Sequence, residues 1–146
     1  MREIKFRGKD KFTGLWRYGD LAHNQRVTTT GLEPRVMVGG YEVLENTVGQ
    51  YTGLKDKKGK EIYEGDVVKP NPKYITSNCI VVLDGIELKL KTKYWCNFFA
   101  EYIWGSCEVI GNIFDNPELI LNSILELFLI LVPLDHLILS YYLDRQ

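Results

Sequence analysis

The chain has 146 residues, 45% of them apolar and 25% charged, with a formal net charge of −1. These values match a soluble globular domain and argue against disorder, which shows fewer aromatics and a larger net charge. A charge so near zero also excludes a global field that would draw the chain onto nucleic acid or an anionic membrane.

Glu3-Ile4-Lys5-Phe6-Arg7 alternates polar and apolar residues, and Leu15-Trp16-Arg17-Tyr18 resumes the alternation after a polar turn bracketed by Gly8 and Gly14. Residues 3–21 therefore predict a β-hairpin. Arg26–Thr30 and Arg35–Val38 read as strands separated by a Gly31-Leu32-Glu33-Pro34 turn. Val48–Thr52 predicts a strand with a bulge at Gly49, since an internal glycine often marks one. Lys55–Lys60 is a charged turn, Glu61-Ile62-Tyr63 a strand, Glu64-Gly65 a turn, and Asp66–Lys69 a strand ended by Pro70 and Pro72. Cys79–Leu83 and Ile86–Lys91 flank Asp84-Gly85, which predicts a two-residue type I′ hairpin turn. Tyr94-Trp95, Tyr102–Trp104 and Glu108–Ile110 add further short runs of strand type. So many short strands predict a mainly β fold, a partly open barrel or roll.

The composition changes after Asn116-Pro117, where Asn116 is placed to cap a helix with Pro117 at its first position. Leu and Ile crowd the stretch from Leu119 to Leu143, and Pro133 divides it. Two short helices are expected, over 117–132 and 134–143. They are apolar nearly all round, which demands burial. A membrane span needs about 20 predominantly apolar residues, and Glu126, Asp135 and His136 interrupt this one. Burial against the β-domain or in an oligomer interface is the expectation, the interface running through Leu121, Ile124, Leu125, Phe128, Leu131, Leu137 and Ile138. The chain thus divides into an N-terminal β region (1–46), a barrel region (47–116) and a helical apolar tail (117–146).

Residues with chemistry are few. Cys79, Cys96 and Cys107 are odd in number and lack CxxC spacing, so they read as free buried thiols in a reducing cytoplasm. The opening from Met1 to Phe12 has no apolar h-region, and no secretory signal is expected. His23 and His136 have no histidine or cysteine at ligand spacing, so neither a metal nor a cofactor is expected. No nucleophile motif or phosphate loop is present, which predicts a protein without enzymatic activity. Glu61, Glu64 and Asp66 read as a solvated strand face. The loop carrying Lys55, Lys57, Lys58 and Lys60, flanked by Tyr51 and Tyr63, is the candidate nucleic-acid site, because lysines beside aromatics suit phosphate contact and base stacking. Lys89, Lys91 and Lys93 form a second basic set on one strand face.

The stretch from Thr47 to Val68, containing Thr47-Val48-Gly49-Gln50-Tyr51-Thr52-Gly53-Leu54 and Gly59-Lys60-Glu61-Ile62-Tyr63-Glu64-Gly65-Asp66, strongly resembles the YopX family of phage and prophage proteins. Arg2 to Asp10 is similar to that family's opening, and Val109 to Leu119 to its usual close. The resemblance implies a mainly β, SH3-like barrel, a cytoplasmic mobile-element setting and no established activity, and it transfers no site residues. The chain departs from the pattern after Leu119. The resulting expectation is a prophage-type accessory protein that binds an unidentified protein partner as a homo-oligomer. Nucleic-acid binding through the lysine loop is the alternative.

Overall fold

The computed structural model describes residues 3–71, 73, 75, 77–84, 87–92, 96–97 and 105–120. Three antiparallel sheets account for most of them. The first joins β1 (Phe6–Lys9), β2 (Trp16–Gly19), β6 (Gly49–Lys55) and β7 (Glu61–Tyr63) in the order β2-β1-β6-β7. The second runs β11-β10-β9-β8-β12, from β8 (Asp66–Lys69), β9 (Cys79–Asp84), β10 (Glu87–Lys91), β11 (Cys96–Asn97) and β12 (Glu108–Asn112). The third is β3 (Leu21–Thr28), β4 (Gly31–Val38) and the short β5 (Tyr41–Glu42). Among the described residues all three sheets are open and none closes into a barrel. The pairing of β1 with β6 carries one sheet across the boundary expected near residue 46.

The first hairpin forms as its alternation predicts. Asp10 organises its turn, because its carboxylate accepts from the Phe12 and Thr13 amides, and Gly14 supplies a φ of 71°. The second hairpin turns elsewhere than expected. The register pairs Thr28 with Gly31, so Thr29-Thr30 is the connection and Gly31-Leu32-Glu33-Pro34 lies inside β4. Pro34 is tolerated there because β5 pairs only with Met37 and Val38, leaving an open edge beside the proline. Gly49 is likewise not a bulge. A Cβ on it would stand 2.4 Å from the Glu64 carbonyl oxygen, so it is glycine because two backbones approach closely. The irregularity in β6 falls between Tyr51 and Lys55 instead, where Gly53 has a φ of 82°.

Asp84, expected in the turn, is the last residue of β9 and pairs with Glu87 across residues 85 and 86. Those two residues lie outside the described set, as do Lys93, Tyr94-Trp95 and Tyr102–Trp104. The chain becomes helical at residues 118–120, directly after Asn116-Pro117. The proposed interface residues Leu121, Ile124, Leu125, Phe128, Leu131, Leu137 and Ile138 lie outside the described residues. Among those described, no helix is long and apolar enough to cross a membrane.

Two apolar clusters hold the sheets. Ile62, Val68, Cys79, Val81, Leu90, Cys107 and Val109 form the larger, centred on the second sheet. Val36, Val38 and Val43, with Phe6, Leu21 and Val48 packed on them, seat the base of the third sheet against the first.

Candidate functional site

Strand periodicity puts Lys5, Arg7 and Lys9 on one face of the first sheet. The register sets Tyr18 opposite Arg7 and Trp16 opposite Lys9, while Tyr51 pairs with Tyr63 further along the same face. Cations and rings interleave there. The Arg7 guanidinium lies 4.8 Å from the Trp16 ring centroid and 5.2 Å from that of Tyr63, and Lys5 Nζ lies 5.3 Å from that of Tyr51. Tyr63 in turn sits 5.4 Å from Tyr51 and 5.6 Å from Tyr18.

Each cation of this face meets an acid from later in the chain. Lys5 Nζ is 2.7 Å from Glu61, Arg7 Nη1 is 2.5 Å from Asp66, and Lys9 Nζ is 2.5 Å from Asp115. Arg7 Nη2 also donates to the Glu64 carbonyl, and Trp16 Nε1 donates to Asp115. Arg7 Nε finds no hydrogen-bond partner among the described residues. Burial raises the Asp66 carboxyl above its ordinary range, against the opposing pull of Arg7. Asp115 is held down to about 2, chiefly by the Asn112 side-chain amide and then by Lys9 and Trp16. Asp66 is on β8 and Asp115 follows β12, so these pairs form a seam tying the first sheet to the second. Three cations facing three acids leave no net field for a polyanion.

This seam corrects the solvated-face reading of Glu61 and Asp66. Asp66 is fully buried, and it accepts the Tyr63 amide as well as Arg7. Glu61 accepts from Lys5 and from the Tyr63 hydroxyl.

The lysine loop is also largely self-contained. Lys57 and Lys58 both close on Glu108, at 2.7 and 2.5 Å, and their hydrogen bonds hold that carboxyl down to about 2. Burial works to raise Asp56 at the centre of the turn. Amides of Val109, Lys60 and Lys58 outweigh it and keep that carboxyl below its ordinary range. Lys55 pairs across the strands with Glu61. Tyr51 and Tyr63, at 5% and 3% exposure, turn inward to the seam and offer no open ring face for a base. In the second basic set, Lys89 pairs with Asp84 and Glu87.

The third sheet is built the opposite way. Beyond its seated base, β3 and β4 run out as a two-stranded arm. One arm face carries the ion pair of Arg26 with Glu33 and the bond from Arg35 Nε to Asn24. The other carries Val27 opposite Leu32, 81% and 62% exposed. A groove of about 700 Å³ opens at the arm's base, with His23, Gln25, Pro34, Val36, Leu44 and Glu45 among its lining residues. His23 is an exposed residue of β3. Cys79 and Cys107 are buried thiols, and burial pushes them up to about 12 and about 11. Such thiols are inert, because the reactive form is the thiolate. Among the described residues, no three His, Cys, Asp or Glu side chains converge as metal ligands.

Sequence reading missed the seam, and by placing the second hairpin's turn at 31–34 it missed the length of the arm. The cation at every second residue, Lys5-Phe6-Arg7-Gly8-Lys9, was the available signal for the first. For the arm it was the unbroken match of β-branched and polar residues on either side of Thr29-Thr30.

A family model described as YopX protein matches residues 5–121. Protein EF1440 from Enterococcus faecalis, known from a crystal structure, is similar with a TM-score of 0.50 and 24% sequence identity, over 82% of this chain and 99% of that one. At that identity the likeness concerns the fold alone. No curated protein matches the chain.

Proposed function

The chain belongs to the YopX family, whose model spans residues 5–121, and on that premise we propose a non-enzymatic accessory protein of a phage or prophage. It works in the cytoplasm as a homo-oligomeric binding protein, its second sheet an opened roll of SH3-like kind. The β3–β4 arm is its contact surface. One observation carries this reading: an eight-by-eight-residue hairpin, seated at its base by Val36 and Val38, runs out beyond the core with Val27 and Leu32 side by side in solvent. A two-stranded hairpin is marginal on its own, so a chain that keeps such an arm gains from covering it.

Light scattering on the full chain at micromolar concentration tests the reading. A dimer or larger species is expected, and the double variant V27D/L32D should shift it towards monomer with its melting temperature nearly unchanged. A clean monomer of the unsubstituted chain would overturn it. Nucleic-acid binding through Lys55, Lys57, Lys58 and Lys60 is the second reading, favoured by four cations on one turn. It ranks lower because Lys57 and Lys58 are already engaged by Glu108.

A further inference from the structure

We infer that the partner of the arm is a second copy of this chain, joined edge to edge through β3 so that two three-stranded sheets become one of six. The inference rests on the proposed self-association and names its geometry.

Antiparallel pairs alternate between hydrogen-bonded and non-hydrogen-bonded, and residues of the second kind turn their backbone groups away from the partner strand. The Gly39 amide donates to the Asp20 carbonyl at 3.1 Å, one step beyond the Leu21–Val38 pair that ends the hairpin. Counting back from it, Ala22, Asn24, Arg26 and Thr28 bond to β4. Leu21, His23, Gln25 and Val27 present their amides and carbonyls outward. Among the described residues none bonds to those outward groups.

The two edges of the arm are treated differently. On the β4 side, Pro34 has no amide to offer, the Val36 carbonyl accepts the Val43 amide, and Met37 and Val38 pair with β5. Proline, lysine, bulges and covering elements are the usual protections of a sheet edge. Among the described residues the β3 side has no proline, lysine, bulge or covering element, and its one cation, Arg26, is held by Glu33 and Glu42. Its register against β4 is unbroken over eight residues.

A two-fold axis perpendicular to the sheet requires opposed residues to share a face, so their numbers must sum to an even total. Centring the axis on Asn24 engages all four outward residues of both copies: Leu21 with Val27, and His23 with Gln25. It also matches the side chains. The exposed Val27 gains Leu21 of the second copy, Arg26 faces Ala22, and the two Asn24 amides face each other. No like charges are opposed. Centring on Arg26 would set two guanidinium groups against each other, and centring on Gln25 would leave Leu21 opposite the turn.

Disulfide trapping in the full chain tests this register. In a non-hydrogen-bonded antiparallel pair the Cα atoms stand about 4.5 Å apart, inside the roughly 4.4–6.8 Å that a disulfide spans. N24C should therefore form a covalent dimer under mild oxidation, while T28C, which faces no cysteine, and the unsubstituted chain should not. Q25P removes one outward amide without taking a bond from β4, and should give a monomer whose circular dichroism is unchanged. An oligomer that persists in Q25P, with no covalent dimer from N24C, would overturn the edge pairing and leave self-association through another surface. A monomeric unsubstituted chain would remove both. Should Q25P fail to fold, the N24C and T28C pair decides alone.

Discussion

The seam and the arm invert the usual placement of charge and apolar surface. In the seam, Arg7 and Asp66 are buried, with the Arg7 guanidinium against Trp16 and Tyr63. In the arm, Val27 and Leu32 stand in solvent on the face opposite the exposed Arg26–Glu33 ion pair. A buried charge is costly unless its partner is held in good geometry, and removing one member leaves the other stranded. An exposed apolar pair costs the fold little, but it leaves favourable burial unrealised. The seam therefore concerns integrity, and the arm concerns association.

The largest effect should come from splitting the buried pair. Asp66→Ala strands Arg7 and orphans the Tyr63 amide, and should cost about 3–5 kcal/mol in denaturant unfolding. The double variant R7M/D66L should recover part of that loss. It should retain a deficit of about 1–3 kcal/mol, from the unsatisfied Tyr63 amide. If Asp66→Ala costs no more than V27D/L32D, the distinction between the two regions collapses.

Gly49 tests the same seam through the backbone. The Glu64 carbonyl that would meet its Cβ at 2.4 Å is the one that accepts from Arg7 Nη2. Gly49→Ala must push that carbonyl away, as overpacking does, at about 1–3 kcal/mol. In the arm, an exposed substitution such as Thr30→Ala should stay within about 0.5 kcal/mol.

How much of this was legible depended on the range of the interactions. The first hairpin, β7, β8 and the start of β12 follow from alternation and punctuation, which are local. Gly31 to Pro34 misled because proline and glycine read as a turn. Whether proline sits in a turn or on an open edge depends on the length of β5, and nothing near residue 34 encodes that. Alternation showed that Lys5, Arg7 and Lys9 share a face, but not what they face. Glu61 and Asp66 lie 56 and 59 residues further on. Tyr51 and Tyr63 flank the lysine loop in sequence exactly as a stacking site would, and only their cross-strand pairing turns them inward. The family resemblance, by contrast, reached the fold through whole motifs and needed no such pairing.

The smallest expected effect separates the two acids of the seam by sign. Asp115 is lowered from an ordinary 3.8 to about 2, so its contribution is fully present above the unfolded value and is lost as pH falls through about 2. Asp66 is raised, so its protonated form is favoured by folding, and its contribution is lost as pH rises through its folded value. Acidification from pH 5 to 2 should thus weaken the Lys9–Asp115 end while relieving the cost of a charged Asp66. Melting temperatures of the unsubstituted chain and of Asp115→Asn across that range read the first of these. The variant should lose less on acidification, and the gap between the two should close towards pH 2. A constant gap would mean that the Asp115 charge contributes nothing, leaving Arg7–Asp66 and Lys5–Glu61 as the ion pairs by which the seam differs from the arm.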